Sequence, residues 1–362
     1  MDIRSIHVKG NSYEAGFQHG KAAVAEIGKN YQYYMSTWLC GAEKSEKNIL
    51  NRAMKFLPYI EAVNPEYVKE LRGVAEGAGL PLEKIVALNA RWELNYSYLP
   101  DMSLEASGGC TAFALTPEVS GNKHTYVGQN WDYKPPLQGQ CIALKIEIPD
   151  RPKVFLITEA GIIGHKGFSS TGIGIGVNFI KLKRDTEGLG VPFLIKSRHI
   201  LEQKSLNDCI AFMTSHSGPN SGNMLIASRE GKAIDIECNP EGMRILKPQD
   251  GVLAHSNHFQ KLSENDVDIG CKLLPDSFAR TARLYGHFHD SNDQDTVDSI
   301  EQVLKDHTGF PNSVCRHEDI SLPEALRWQT LVSFYVDLDT ETIKYTAGPP
   351  CRSVYQVFKP FE

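Results

Sequence analysis

The densest reactive chemistry in this 362-residue sequence lies at Gly108-Gly109-Cys110-Thr111, where a small, polar stretch ending in glycine runs into a strand-like segment. Lacking a Cβ, Gly109 leaves its carbonyl open to attack and admits backbone angles that other residues resist. The neighbouring thiol can reach that carbonyl. Attack by Cys110 would move the acyl group from nitrogen to sulfur, and hydrolysis of the thioester would expose Cys110 as a new N-terminal residue. Its α-amine, ordinarily titrating at about 7.7–8.0, would then put a general base and a thiol nucleophile on one residue. By spacing alone, a buried structural cysteine behind a glycine-rich loop is the more ordinary reading of the same residues.

The other cysteines, Cys40, Cys141, Cys209, Cys238, Cys271, Cys315 and Cys351, form no C-x-x-C pair. They read as buried thiols packing as small hydrophobes rather than as a zinc ribbon or redox dithiol. Gly172-x-Gly174-x-Gly176 lacks the spacing of a dinucleotide fingerprint and lies in an alternating strand pattern. His255-x-x-His258 and His287-x-His289 carry no H-E-x-x-H pattern and read as loop and helix-end histidines, so no metal is expected. Asn95-Tyr96-Ser97 matches a glycosylation sequon but reads as incidental.

These residues need a scaffold, and the hydrophobic period supplies one. The first hundred residues read as helical. Asn11-Ser12-Tyr13-Glu14 is a capping box opening a long amphipathic helix. Asn64-Pro65 starts another, with Val68, Leu71 and Ala75 on one stripe and Gly77 and Gly79 ending it, and a third covers Glu83 to Leu94. Ser103 to Gly109 has the composition of a mobile or cleavable connection. Beyond it the period falls from 3.6 to 2, with strand-like runs from Thr111, Thr125, Cys141 and Lys153. More follow at IGIGVNF, NMLIAS, KAIDIE, MRILK, QTLVSFYVDL, TIKYT and VYQVF. Helices return at Pro192–Lys204, Ser205–Ser217, Asp276–Asp290 and Asp295–His307. Elements grouped in this way favour an α+β fold with antiparallel sheets and helices layered outside.

Composition narrows the function. With 38 Lys+Arg against 44 Asp+Glu, the formal charge is −6, and no basic run supplies the footprint of a nucleic-acid binder. The 41% hydrophobic and 23% charged content is that of a folded globular chain, which argues against disorder and low-complexity arrays. MDIRSIHVKG has no apolar signal segment, no long uncharged apolar run offers a membrane span, and the closing Lys359-Pro360-Phe361-Glu362 is no peroxisomal address. A cytoplasmic location is the expectation.

Gly109-Cys110-Thr111-Ala112, Gly128-Gln129-Asn130-Trp131-Asp132, Ile157 to Gly164, His255-Ser256-Asn257-His258 and Ser313-Val314-Cys315-Arg316 form five ordered motifs. Together they resemble those of the acyl-coenzyme A:isopenicillin N (6-aminopenicillanic acid) acyltransferase family of N-terminal nucleophile hydrolases. SYEAGFQHGKAA and ELRGVAEGAGLPLEKIVALNARWEL resemble the family's helical lead-in. The resemblance implies a four-layer αββα fold with two stacked antiparallel sheets. It also implies autocleavage between Gly109 and Cys110 into a 1–109 chain and a 110–362 chain that together form one globular unit. It makes Cys110 the nucleophile and its freed amine the base. Asp132 would hold the ammonium or polarise substrate hydrogen bonds, the other reading being a solvated turn carboxylate. Asn257 would donate to the oxyanion, or else satisfy local backbone. Asn178 is a second oxyanion candidate. Arg316 would orient Asp132 or a substrate carboxylate, or else form a surface ion pair with Glu318 or Asp319.

The expected activity is that of an autoproteolytic cysteine amidohydrolase or N-acyltransferase working through a Cys110 thioester. Its substrate would be a small N-acyl amine or acyl thioester, acyl-coenzyme A being a possible donor. No cofactor, nucleic acid or membrane is expected, and the cleaved N-terminal chain would be its one protein partner. Three alternatives stay open: an uncleaved, silent ligand-binding relative, a strictly acyl-CoA-dependent N-acyltransferase, and a metal-dependent hydrolase.

Overall fold

The computed structural model describes residues 3–40, 45–98, 109–185, 187–216, 218, 220–290 and 296–362. Of the expected connection Ser103–Gly109, only Gly109 lies among them. In chain order the strands are β1 Arg4–Lys9, β2 Thr111–Leu115, β3 Tyr126–Tyr133, β4 Cys141–Glu147, β5 Val154–Glu159, β6 Lys166–Ser169 and β7 Ile173–Asn178. There follow β8 Gly222–Ser228, β9 Lys232–Asn239, β10 Gly242–Leu246, β11 Val252–His255, β12 Gln329–Asp337, β13 Thr342–Ala347 and β14 Gln356–Phe358.

The strands form an eight-stranded sheet ordered β1-β4-β5-β6-β7-β8-β9-β10 and a six-stranded sheet ordered β11-β2-β3-β12-β13-β14. In the middle of the molecule β2 and β3 face β7 and β8. Helices Phe193–Leu201 and Leu206–Ser215 cover the outer face of the larger sheet, and the apolar interior continues from there into the N-terminal helices. Helices Asp276–Asp290 and Thr296–Leu304 close the outer face of the smaller sheet over Phe113, Leu115 and Tyr335. The layers therefore run αββα, as expected. The Gly172-x-Gly174-x-Gly176 run has a steric role in β7. A Cβ on Gly174 would lie 2.6 Å from Val127 Cγ1, and one on Gly176 3.0 Å from the Ala112 Cβ. Two glycines on one strand face let the sheets approach at the end where Cys110 sits.

The helical lead-in needs several corrections. Arg4–Lys9 is an edge strand rather than part of a helical region, and it pairs in parallel with β4, the one parallel strand pairing among the described residues. Its brief alternation, with only Ile6 and Val8 buried, gives a weak period-2 signal. The capping box at Asn11 and Glu14 is present, but the helix it opens ends at Ala22 and a second runs Val24–Trp38. Glu83–Leu94 divides at Ala90 into Leu82–Asn89 and Arg91–Tyr98. Asn89 is diverted there, donating to Gly161 O and accepting from Ile163 N at 2.9 and 3.0 Å. Gly77 does not end its helix: Pro65–Ala78 runs past it to Gly79 at φ 66°. A Cβ on Gly73 would sit 2.1 Å from Tyr13 O and one on Gly77 2.2 Å from Phe17 O, so the glycines let helices Ser12–Ala22 and Pro65–Ala78 touch backbone to backbone.

Candidate active site

Cys110 stands at the start of β2, in the gap between the sheets. The β2–β3 ladder continues one step past the strand, with Gly109 N donating to Asp132 O at 3.2 Å. Cys110 is buried, its Sγ lies 3.9 Å from the Asp132 carbonyl, and burial pushes the thiol above its ordinary pKa against the pull of Lys166. A Cβ on Gly109 would meet Arg316 Nε at 2.9 Å, so the residue before the cysteine must be small.

Arg280, which the sequence reading did not single out, binds this junction. It rises from helix Asp276–Asp290 on a buried stripe with Ser277, Thr281, Leu284 and Phe288. Its Nη1 donates to Gly109 O at 3.2 Å, to Cys110 O at 2.7 Å and to Thr111 Oγ1 at 2.7 Å. Asp276 accepts from its Nε at 2.7 Å and Asn257 Oδ1 from its Nη2 at 2.9 Å. The available signal was an arginine at a stripe position of a strongly amphipathic helix, where a charge is admitted only with partners.

Alternation along β3 sends Trp131 toward the cavity beside Cys110, while Asn130 and Asp132 turn to the helical side. There Asp132 Oδ1 accepts from Thr330 Oγ1 at 2.7 Å and Oδ2 lies 3.4 Å from Arg316 Nε. Burial lifts this carboxyl to about 7, outweighing Arg316 and Arg280. Asp132 is thus no solvated turn carboxylate. Arg316 pairs with Asp132 and Asp276 rather than Glu318 or Asp319, and its Nη1 donates to Asn312 Oδ1 at 2.6 Å. The two asparagines tie the sheets together: Asn257 Nδ2 donates to Phe179 O at 2.8 Å and Asn178 Nδ2 to His255 O at 3.4 Å. Cys110, Asp132, Asn257 and Arg316 therefore converge on the junction, through Arg280 and Asp276, whereas Asn178 contacts the His255 carbonyl behind it.

The cavity holding Cys110 is lined by the aromatic cluster Trp92, Tyr96 and Phe179. The same cavity is lined by a chain of basic side chains reaching from the start of β6 that the sequence reading missed. Lys166 Nζ is 3.7 Å above the Trp131 ring and 2.6 Å from His165 Nδ1. Arg91 Nη2 bridges His165 Nε2 at 3.0 Å and Glu159 Oε1 at 2.9 Å. Burial pulls Lys166 down to about 7 and holds His165 well below its usual range. A neutral imidazole has one N–H and one lone pair. Arg91 can only donate to Nε2, so Nδ1 carries the hydrogen and the 2.6 Å contact is satisfied by a neutral Lys166 amine accepting it. A lone Lys in a short strand gives no sequence pattern for this.

Of the cysteines read as buried thiols, Cys141, Cys209, Cys238 and Cys315 are buried and Cys271 partly so, but Cys40 and Cys351 are exposed. His255 pairs with Glu237 at 3.0 Å, His258 with Ser277 at 2.7 Å and His287 with Ser299 O at 2.9 Å. Asn95 is buried and accepts from Trp38 Nε1 at 2.8 Å.

Among solved structures, penicillin V acylase from Agrobacterium tumefaciens aligns at TM-score 0.45 and 12% identity, covering 69% of this chain and 85% of that one. A variant of conjugated bile acid hydrolase from Clostridium perfringens aligns at TM-score 0.42 and 15% identity, covering 69% and 97%. An uncharacterized protein of Archaeoglobus fulgidus is 24% identical over 73% of this chain and 48% of its own length. The acyl-coenzyme A:6-aminopenicillanic-acid-acyltransferase 40 kDa form of Emericella nidulans is 29% identical over 316 residues, 86% of this chain and 84% of that protein. The sequence pattern of one family matches residues 119–352, well over half of the chain. The chain thus belongs to the acyl-coenzyme A:6-aminopenicillanic acid acyl-transferase family and is an enzyme of the acyl-transfer or amide-hydrolysis class.

Proposed function

We propose that this chain is a thiol acyl-transfer enzyme that first cuts its own Gly109–Cys110 bond. The observation that carries this reading is the Gly109 carbonyl itself, gripped by a buried guanidinium beside a buried thiol that shares its cavity with a low-pKa amine. Before cleavage there is no terminal amine to act as base, and neutral Lys166 fills that role. Lys166, its lone pair turned away from His165 Nδ1–H, takes the Cys110 proton, the sulfur bonds to the Gly109 carbonyl carbon, and Arg280 stabilises the oxyanion. The C–N bond then breaks as the nitrogen receives the proton from Lys166. Water hydrolyses the thioester, leaving a Gly109 carboxylate and a Cys110 with free sulfur and free α-amine. Asp132 and Asn257 act as positioning residues, the first holding Arg316 against Gly109 and the second turning Arg280 toward the junction. Asn178 keeps β7 registered on β11 behind the cavity.

In the mature enzyme the Cys110 amine deprotonates its thiol, which attacks the carbonyl of an amide or thioester and releases the amine or thiol. The apolar wall suits an acyl chain or aromatic acyl group. The acyl-enzyme then passes to water or to an amine; coenzyme A thioesters are donors in this scheme and no resident cofactor is required. No helix among the described residues is long and apolar enough to cross a membrane, and we place the reaction in the cytoplasm.

Intact mass and N-terminal sequencing of the expressed protein test the reading. Two fragments of 109 and 253 residues are expected, the second starting at Cys110, with Cys110→Ala remaining whole and inactive. An uncut wild-type chain without thiol-dependent turnover would favour a binding protein, and turnover surviving in Cys110→Ala would end the proposal.

A further inference from the structure

Away from the cavity, His307, Cys315, His317 and Cys351 bring two sulfurs and two ring nitrogens within 4.8 Å of one another. They come from three segments: the chain following helix Thr296–Leu304, the loop before β12, and the turn between β13 and β14. His317 Nε2 is the focus, 3.1 Å from His307 Nε2, 3.3 Å from Cys351 Sγ and 3.6 Å from Cys315 Sγ. One ring nitrogen offers one hydrogen or one lone pair, so hydrogen bonding cannot satisfy three such neighbours. A shared cation can. Around tetrahedral Zn²⁺, with bonds of about 2.05 Å to nitrogen and about 2.3 Å to sulfur, donor atoms fall about 3.3–3.8 Å apart. The three separations to His317 lie within or just below that range, and the remaining donor pairs lie within 4.8 Å.

We propose that these four residues form a structural Zn²⁺ site. Two thiolates and two neutral imidazoles make a closed S₂N₂ set, the donor chemistry of tetrahedral zinc rather than of magnesium, calcium or an open catalytic centre. Binding releases the two thiol protons to solvent, and the thiolates cancel the charge of the ion. The ligand spacings, seven residues, one residue and thirty-three residues, match no zinc signature. The position also has a consequence for the candidate active site. Cys315 and His317 flank Arg316, whose side chain packs on Gly109 and Asp132. Two ligands on either side of Arg316 fix the loop that aims it, so the ion clamps one wall of the junction from outside.

The test uses the full chain, reduced and stripped of metal, titrated with Co²⁺ and followed by visible absorbance. One equivalent is expected to give tetrahedral ligand-field bands with a thiolate charge-transfer band, both erased by Zn²⁺, together with a metal-dependent rise in melting temperature. Cys351→Ser and His307→Ala alter exposed positions and are expected to weaken Co²⁺ binding by more than about 100-fold. Cys110→Ala is expected to bind Co²⁺ like the wild type, which separates this site from the proposed reaction. Absence of the bands in reduced wild-type protein, or bands unchanged in Cys351→Ser, would overturn the proposal. So would a non-reducing mass lighter by two hydrogens with a mapped Cys315–Cys351 link and no metal uptake after reduction.

Discussion

If Lys166 is the base for self-cleavage, replacing it by Met should remove the pH plateau of processing while leaving the fold in place. The unbranched Met side chain can occupy the space over Trp131 without leaving a cavity. The groups facing the Lys166 amine are Cys110, Cys141, His165, Arg91 and Glu159, and burial beside them sets it to about 7. At one unit below that value about a tenth of the lysine is neutral and at one unit above about nine-tenths. Processing should therefore quicken nearly tenfold between about pH 6 and about pH 8 and level off above. Loss of a positioned base costs about 10²–10⁴-fold, so Lys166→Met should slow cleavage by at least about 100-fold, and Lys166→Arg, charged throughout, should behave alike. The assay follows intact precursor, made by cell-free synthesis at low pH, as full-length mass against time after transfer to each buffer. Asp132 also titrates near 7, so Asp132→Asn is the control that should keep the lysine-dependent inflection. Thiolate attack without a base gives a different curve, because burial holds the Cys110 thiol above its ordinary range. The rate would then keep rising about tenfold per unit beyond pH 8. That profile, unchanged in Lys166→Met, would refute the reasoning.

Other outcomes follow from the packing and from a second buried cluster. Burial opposes the charge on His255, but Asp235 and Glu237 outweigh it and lift the imidazole to about 9. Its stabilising contribution is complete below the unfolded value of about 6.5 and is lost as pH rises through 9, a loss on the order of 3 kcal/mol. Denaturant midpoints should fall across that window and flatten in His255→Gln. Gly73→Ala should destabilise the chain by about 2 kcal/mol, since its Cβ would lie 2.1 Å from Tyr13 O. Gly28→Ala, with nothing within 4 Å, should stabilise helix Val24–Trp38 by about 0.5–1 kcal/mol. Phe179→Ala should widen the cavity and shift relative kcat/KM toward bulkier acyl groups by about tenfold, its backbone carbonyl remaining available to Asn257. Equal acyl preference in variant and wild type would remove Phe179 from the substrate wall.

Much of the architecture can be read along the chain because its signals are local. The Asn11–Glu14 box, the Asn64 cap ahead of Pro65 and the period-2 runs of β2, β4, β5 and β8 each depend on neighbouring residues, and the structure places them where those patterns point. The same holds for helix Asp276–Asp290, bounded as its pattern predicts. Short elements with little repetition were illegible: β1, β6 and β11 span six, four and four residues.

The local sequence thus determined a glycine–cysteine junction on a strand, the helices and strands around it, and motifs resembling one family. It could not show that Arg280, on a helix 170 residues further on, would grip the junction carbonyls. Nor could it show that Lys166, His165 and Arg91 would line up beside the thiol, or that four dispersed histidines and cysteines would meet around one point. Those contacts join residues far apart in sequence, and their chemistry depends on burial and on partners that exist only once the sheets and helices have packed.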